Sequence, residues 1–209
     1  DNVRFRYGLP EKIGGWTKVT TDALVGATRA ILTWSDLNGV KYAMYGTNKK
    51  LYIYSEGSYA DITPTRATGS ITQFGTTNTS STVTVTDADH GALIGDFVTI
   101  SSVSGAIGGL SQANLQGEFE ILTVPSTSTY TIEAPANATS TTTGATATAT
   151  YQINTGSAVS LFGYGWGAGT WGASTWNSTR SGLTGGQGVL LESAKWSLDT
   201  WGEDALALQ

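Results

Sequence analysis

The 209-residue chain has no cysteine. That excludes a disulfide framework and any thiolate metal site. Charge is scarce too, at 13% Asp, Glu, Lys and Arg, about half the usual share. There is one histidine, His90, so any His-based catalytic triad or mixed His/Asp metal site would have to use it. No apolar run approaches the roughly 18 residues a bilayer-crossing helix needs, and no signal-peptide pattern opens the chain, so no membrane segment is expected. The phosphate-binding GxxxxGK[ST], the DxDxDG calcium loop and the GxSxG nucleophile elbow are all missing. Methionine is also missing at position 1, where Asp1 stands, and the expectation is a processed or partly observed product.

What fills the space is glycine, 27 residues of it, with threonine, serine and alanine. This composition favours strands and turns over helix, and no segment sustains a helical apolar period. The net charge of −5 is unevenly spread. Residues 1–66 hold nine of the eleven basic side chains against six acids, a balance of +3. Residues 67–160 have no Lys or Arg and six acids, a balance of −6. So sharp a break marks separate structural units.

The first unit reads as a meander. A short aromatic run at 3–7 ends at Leu9-Pro10, and strand-like runs follow at 16–19, 29–34, 41–46, 51–54 and 59–63. Polar connections DLNG, TNKK and SEG separate the last four, as hairpins require. In KYAMYGT, Tyr42, Met44 and Gly46 share one face and Ala43 and Tyr45 the other. Three or four antiparallel strands in about 40 residues is the size of a propeller blade. Residues 70–154 read as an insertion of short strands at 81–86, 96–101, 118–124, 129–133 and 145–153, with loops at 101–117 and 134–144. The ATATAT run predicts one tightly packed face with little room. The apolar supply is modest, so the insert is expected to lean on its parent unit.

Residues 162–177, FGYGWGAGTWGASTWN, carry the strongest pattern. Trp166, Trp171 and Trp176 stand five apart, a spacing that fits neither a strand nor a helix. We expect a glycine-jointed connection whose rings plug gaps between sheets. Trp196 and Trp201 repeat the spacing. Periodic Gly/aromatic motifs accompany repetitive all-β architectures such as propellers. The last five residues read as a strand cut short.

The chemical candidates are thin. His90 in DADHGAL lies beside Asp87 and Asp89, but a strand-to-turn sequence explains the same letters. Glu118 and Glu120 in GEFEI share one strand face with carboxyls roughly 7 Å apart, within reach of an inverting glycosidase pair; a solvated strand face explains them more simply. Glu203-Asp204 reads as a turn. Exposed Trp and Tyr could stack on sugars, although packing between blades or subunits is favoured. Arg4, Arg6, Lys12, Lys18 and Arg29 form a mildly basic region whose natural partners are surface or subunit ion pairs rather than nucleic acid. The Asn-X-Ser/Thr sites at Asn78, Asn137 and Asn177 are expected by chance in so Ser/Thr-rich a chain. No catalytic, cofactor-binding or metal residue is assigned, no cofactor is implied, and no enzyme is expected.

NVRFRYGLPEKIGGWTKV (2–19) resembles the opening of a group of tailed-bacteriophage virion proteins. YGTNKKLYIYSEGSYADITP (45–64), FGYGWGAGTWG (162–172) and WSLDTWGEDALA (196–207) agree with it, and HGALIGDFVTI with LQGEFEILTV resembles small β modules of tail proteins. The resemblance is to tail structural proteins of the nozzle or tail-tubular type, which build a β-propeller body and assemble as rings around the DNA channel. It implies an all-β fold of partial propeller-like meander sheets (1–69 and 155–209) with an inserted small β-sandwich or barrel (70–154). It further implies a virion location in the phage tail, a ring of copies, hexameric by resemblance, other tail or head-tail adaptor proteins as partners, and DNA passing through the lumen without sequence-specific binding. The role would be mechanical, part of the DNA-ejection conduit; the alternative is a carbohydrate-binding or host-receptor-binding module. Removing 70–154 leaves 124 residues, about three blades at roughly 40 each, so a longer parent chain or neighbouring subunits are expected to complete the sheets.

Overall fold

A computed structural model of the chain describes residues 3–14, 18, 20, 22–156 and 195–209. The protein is all-β, with several antiparallel sheets and, among the described residues, no closed barrel. Strands β1 (Val3–Arg6) and β2 (Leu9–Lys12) form a hairpin. Leu9-Pro10 therefore does not end the first run. The chain reverses at Tyr7 and Gly8, both at positive φ, which is the type I′ geometry that matches strand twist. Pro10 is tolerated because a two-stranded ribbon has only edges.

Strands β3 (Thr28–Ser35), β4 (Lys41–Thr47), β5 (Leu51–Ser55) and β6 (Ser58–Asp61) make a meander sheet in chain order. The expected alternation in β4 holds. Ala30, Leu32 and Trp34 pair with Gly46, Met44 and Tyr42, so these six positions share one face. The Trp34 and Tyr42 rings stack there with centroids 5.4 Å apart. Tyr45, Tyr54 and Tyr59 pack together on the reverse face. A second hairpin, β16 (Ser197–Trp201) with β17 (Asp204–Leu208), covers the first face through Leu198 and Ala205. The chain's end is thus the return strand of a hairpin, and Gly202-Glu203 is its two-residue turn.

Trp196 is the plug of this layer. Its ring lies over Gly46, where an added Cβ would meet Trp196 Cδ1 at 2.5 Å, and its Nε1 donates to the Thr47 carbonyl at 2.8 Å. Only glycine leaves room for that approach. Trp201, five residues on, is 77% exposed. One of these two tryptophans therefore fills a gap as expected and the other does not. Trp166, Trp171 and Trp176, with the rest of residues 162–177, lie outside the described residues, as does Trp16.

Residues 65–152 build a two-sheet sandwich. One sheet has the order β11-β10-β15-β7, made by β7 (Thr65–Ile71), β10 (Phe97–Ser101), β11 (Gly117–Glu120) and β15 (Ala147–Gln152). The other has the order β12-β13-β9-β8-β14, from β8 (Gln73–Thr76), β9 (Thr82–Thr86), β12 (Thr123–Ser126), β13 (Thr129–Glu133) and β14 (Thr142–Gly144). The chain crosses between sheets at Thr72, over 87–96, at Ile121-Leu122 and at Ala145-Thr146. The third crossing divides what the sequence presents as one strand over 118–124. The loop at 101–117 holds one helical turn, α1 (Gln112–Leu115), which starts at Ser111, whose hydroxyl accepts from the Asn114 amide.

The sandwich has its own core. Phe74, Val83, Val85, Val98, Leu110, Leu115, Ile121, Tyr130, Ile132 and Ala149 are fully buried within it. Ala147, Ala149 and Tyr151 form the inner face of β15 while Thr148 points to solvent, which is the packed face that ATATAT predicts. The sandwich thus has an apolar core of its own, where the sequence suggests one that leans on the parent unit. Among the described residues the cluster under the meander sheet has Met44, Leu51 and Trp196 as its buried members, far fewer than the sandwich. The insert's apolar residues suffice because they alternate onto one face rather than being spread over both.

Candidate functional site: a lysine–carboxylate joint

The β4–β5 turn delivers two adjacent lysines to the outer face of the sandwich. That face carries Phe97 and Thr99 of β10 opposite Glu120 and Glu118 of β11. Lys49 Nζ sits 2.5 Å from Glu120 Oε1. Lys50 Nζ lies 2.5 Å from Glu118 Oε2 and 2.7 Å from Asp61 Oδ2, and 4.4 Å from the centre of the Phe97 ring. The turn is held by Thr47, whose hydroxyl accepts from the amides of Lys49 and Lys50 and donates to the Val25 carbonyl. Asp61 is oriented in turn by the Thr63 amide and hydroxyl, at 2.9 and 2.6 Å.

Lys50 is 1% exposed, yet its ammonium is met by two carboxylates and an aromatic face. Burial pulls its pKa down, and the hydrogen bonds and charges of Asp61 and Glu118 more than offset this, leaving it above its usual value. Burial pushes Asp61 up, but Lys50 and Thr63 outweigh that and hold it below the usual carboxylate value. Glu118 also accepts from Gln152 Nε2 at 2.8 Å. Among the described residues no donor meets the buried Gln152 Oε1.

Glu118 and Glu120 share a strand face that is still partly solvated, with both side chains more than a third exposed. Each is committed to a lysine from the meander sheet. A cleft of about 380 Å³ runs beside them, lined by Asn48, Lys49, Asp96, Phe97, Glu120 and Asn154 among others. Its polar groups serve one another. Asp96 accepts from Leu93 N and Asn154 Nδ2, and Thr155 donates to the Asn48 carbonyl at 2.9 Å. Together these bonds fasten the sheet to the sandwich at several points.

His90 sits elsewhere, at the end of the sandwich. Asp89 and Gly91 on either side have positive φ, so DADHG is a turn. His90 Nδ1 accepts from the Ala92 amide at 3.0 Å and Nε2 faces the Ser126 carbonyl at 3.3 Å, which uses both ring nitrogens on backbone. Asp87 turns inward, away from any shared site with Asp89. Its Oδ2 accepts from the Tyr151 hydroxyl at 2.6 Å, and that hydroxyl is 3.2 Å from the Tyr130 hydroxyl. Burial pushes the Tyr130 phenol up to about 12. Burial and the bond to Asp87 hold Tyr151 well above the ordinary phenol range. Arg66 closes the cluster, with its guanidinium 5.1 Å above the Tyr151 ring and a 2.9 Å bond to the His90 carbonyl.

Of the basic N-terminal residues, Arg4 pairs with Glu11 across the hairpin at 2.9 Å and Arg6 lies over the Tyr7 ring. Among the described residues no helix is long and apolar enough to cross a membrane. The lysine–carboxylate joint went unseen in the sequence, because its partners lie about 70 residues apart. The opposed charge balances of 1–66 and 67–160 were the available signal.

No protein-family model matches the chain, and no curated protein matches it. Among solved structures the chain is similar to the Phage phi92 endosialidase, at 21% identity and a TM-score of 0.34, over 69% of this chain. It spans 21% of that protein's length. At that level of likeness the all-β architecture rests on the strands described above.

Proposed function

We propose that the chain is a non-catalytic structural subunit of a phage tail, one copy in a ring of the nozzle or tail-tube/adaptor kind that forms part of the DNA-ejection conduit. The observation that carries this reading is the apolar surface left uncovered on two hairpins. Phe5, Tyr7 and Leu9 on β1–β2, and Trp201, Leu206 and Leu208 on β16–β17, are all more than half exposed. Large exposed apolar groups on β-ribbons mark contacts with other protein surfaces. The lysine–carboxylate joint supports the same reading, because it spends the chain's paired carboxylates on fastening two sheets together. The resemblance of 2–19, 45–64 and 196–207 to tail proteins supports it as well. With a net charge of −5, the subunit would repel rather than grip DNA moving past it. Negative-stain images of the concentrated protein test the proposal: closed rings are expected, and a field of single small particles would refute it.

A second reading, a carbohydrate-binding or host-receptor module, draws on the exposed Trp201 ring with Asp204 opposite it in the β16–β17 ladder. It requires quenching or shift of tryptophan fluorescence on adding saccharides, an effect that Trp201→Ala removes.

A further inference from the structure

We infer that the β1–β2 hairpin of one copy docks on the outer face of the β16–β17 hairpin of a second copy, so that two different patches on each chain join head to tail. The inference rests on the ring reading above and names its contact. Every residue of β1 and β2 is exposed, and a lone two-stranded hairpin is marginal in water. The arm is two-faced, because residues directly opposite each other share a face. Val3 and Phe5 lie on one face with Lys12 and Pro10, and Arg4 and Arg6 on the other with Glu11 and Leu9. Residues 3–12 carry a net charge of +2.

The β16–β17 hairpin is built to the opposite sign. Its inner face, Leu198 and Ala205, packs on the meander sheet. Its outer face sets Trp201 opposite Asp204 and Leu206 opposite Asp199. Residues 197–208 have three acids and no base, a net charge of −3. The arm face that carries Val3, Phe5 and Lys12 and the apolar, acidic receiving face are complementary in both respects. Contact between unlike patches on identical chains is heterologous, and it closes into a ring when the rotation allows.

The cysteine-free sequence permits a direct test with Phe5→Cys and Leu206→Cys, both at exposed positions. A disulfide forms only where Cα atoms come within about 7 Å. Mixing the two single variants under mild oxidation is expected to give a cross-linked heterodimer well above what either gives alone. The double variant is expected to give a ladder of multi-copy species. Adding Lys12→Glu, on the same face as Phe5, should lower the yield by up to about fivefold, the range of an exposed ion pair, and Asp204→Arg should restore it. A mixture no more cross-linked than its components overturns the inference. So does a double variant that closes within single chains, or Phe5→Cys alone pairing with itself. If unmodified protein forms rings while the mixture stays uncross-linked, only this contact falls; if the protein is also monomeric, the ring reading falls with it.

Discussion

Lys50 offers the sharpest energetic test, because it is a buried cation whose charge is useful only while its partners are present. Replacing Asp61 with Asn, or Glu118 with Gln, leaves one carboxylate beside Nζ. Those two carboxylates are about a third exposed, so solvent already screens part of each attraction. Each single change is expected to cost about 1–2 kcal/mol. The double change strands an ammonium of 2% side-chain exposure with no counter-charge, and breaking a buried pair in that way costs about 3–5 kcal/mol. The double should therefore exceed the sum of the singles by about 1 kcal/mol or more, as groups in one network do. Adding Lys50→Met to the double removes the stranded charge and should recover most of the loss. Urea unfolding followed by fluorescence measures all four variants. Costs below about 0.5 kcal/mol throughout, with simple additivity, would refute the argument and make the joint an ordinary surface pair. The pH dependence has two signs. Lys50 is raised above its usual 10.5, so its contribution is complete below that value and is lost as pH rises through the folded-state pKa. Asp61 is lowered from its usual 3.8, so its contribution is complete above that value and is lost as pH falls through the folded-state pKa. Asp61→Asn should flatten the acid limb and also shrink the alkaline one, because it removes one of the two carboxylates that raise Lys50.

Gly46→Ala places a methyl inside the Trp196 ring and should destabilise the meander layer by about 1–3 kcal/mol, as overpacking does, with a red shift of tryptophan emission; unchanged emission and stability would contradict the plug. Tyr130 and Tyr151 should stay protonated in the folded protein when ordinary tyrosines have ionised near pH 10. Their raised values mean stability is complete below that pH and lost above it, so ultraviolet titration should show a late phenolate step that coincides with unfolding. Tyr151→Phe should cost about 1–3 kcal/mol by depriving the buried Asp87 carboxylate of its hydroxyl donor, and no change in stability would mean another donor takes its place.

The sequence was most legible where apolar alternation and polar turns coincide. The runs at 29–34, 41–46, 51–54 and 59–63 are the four strands of one sheet, and TVTVT and ATATAT present their buried faces as written. It was least legible where a strand exists because of its neighbour. TRATGSI has one buried residue, Ile71, and is a strand because β15 pairs along its whole length. The crossing at Ile121-Leu122 is invisible for a related reason, since both sides read as strand and only the sandwich tells which sheet each joins. The joint needed three-dimensional information throughout. Nothing local in TNKK says that its lysines meet GEFE rather than water.

The measurement that bears most directly on the central claim is the mass of the protein in solution by light scattering across a concentration series. A multiple of the 21.8 kDa chain that holds constant over the series, as a closed ring requires, is the predicted result. A folded monomer at every concentration would contradict the claim that the exposed hairpins exist to join copies of this chain.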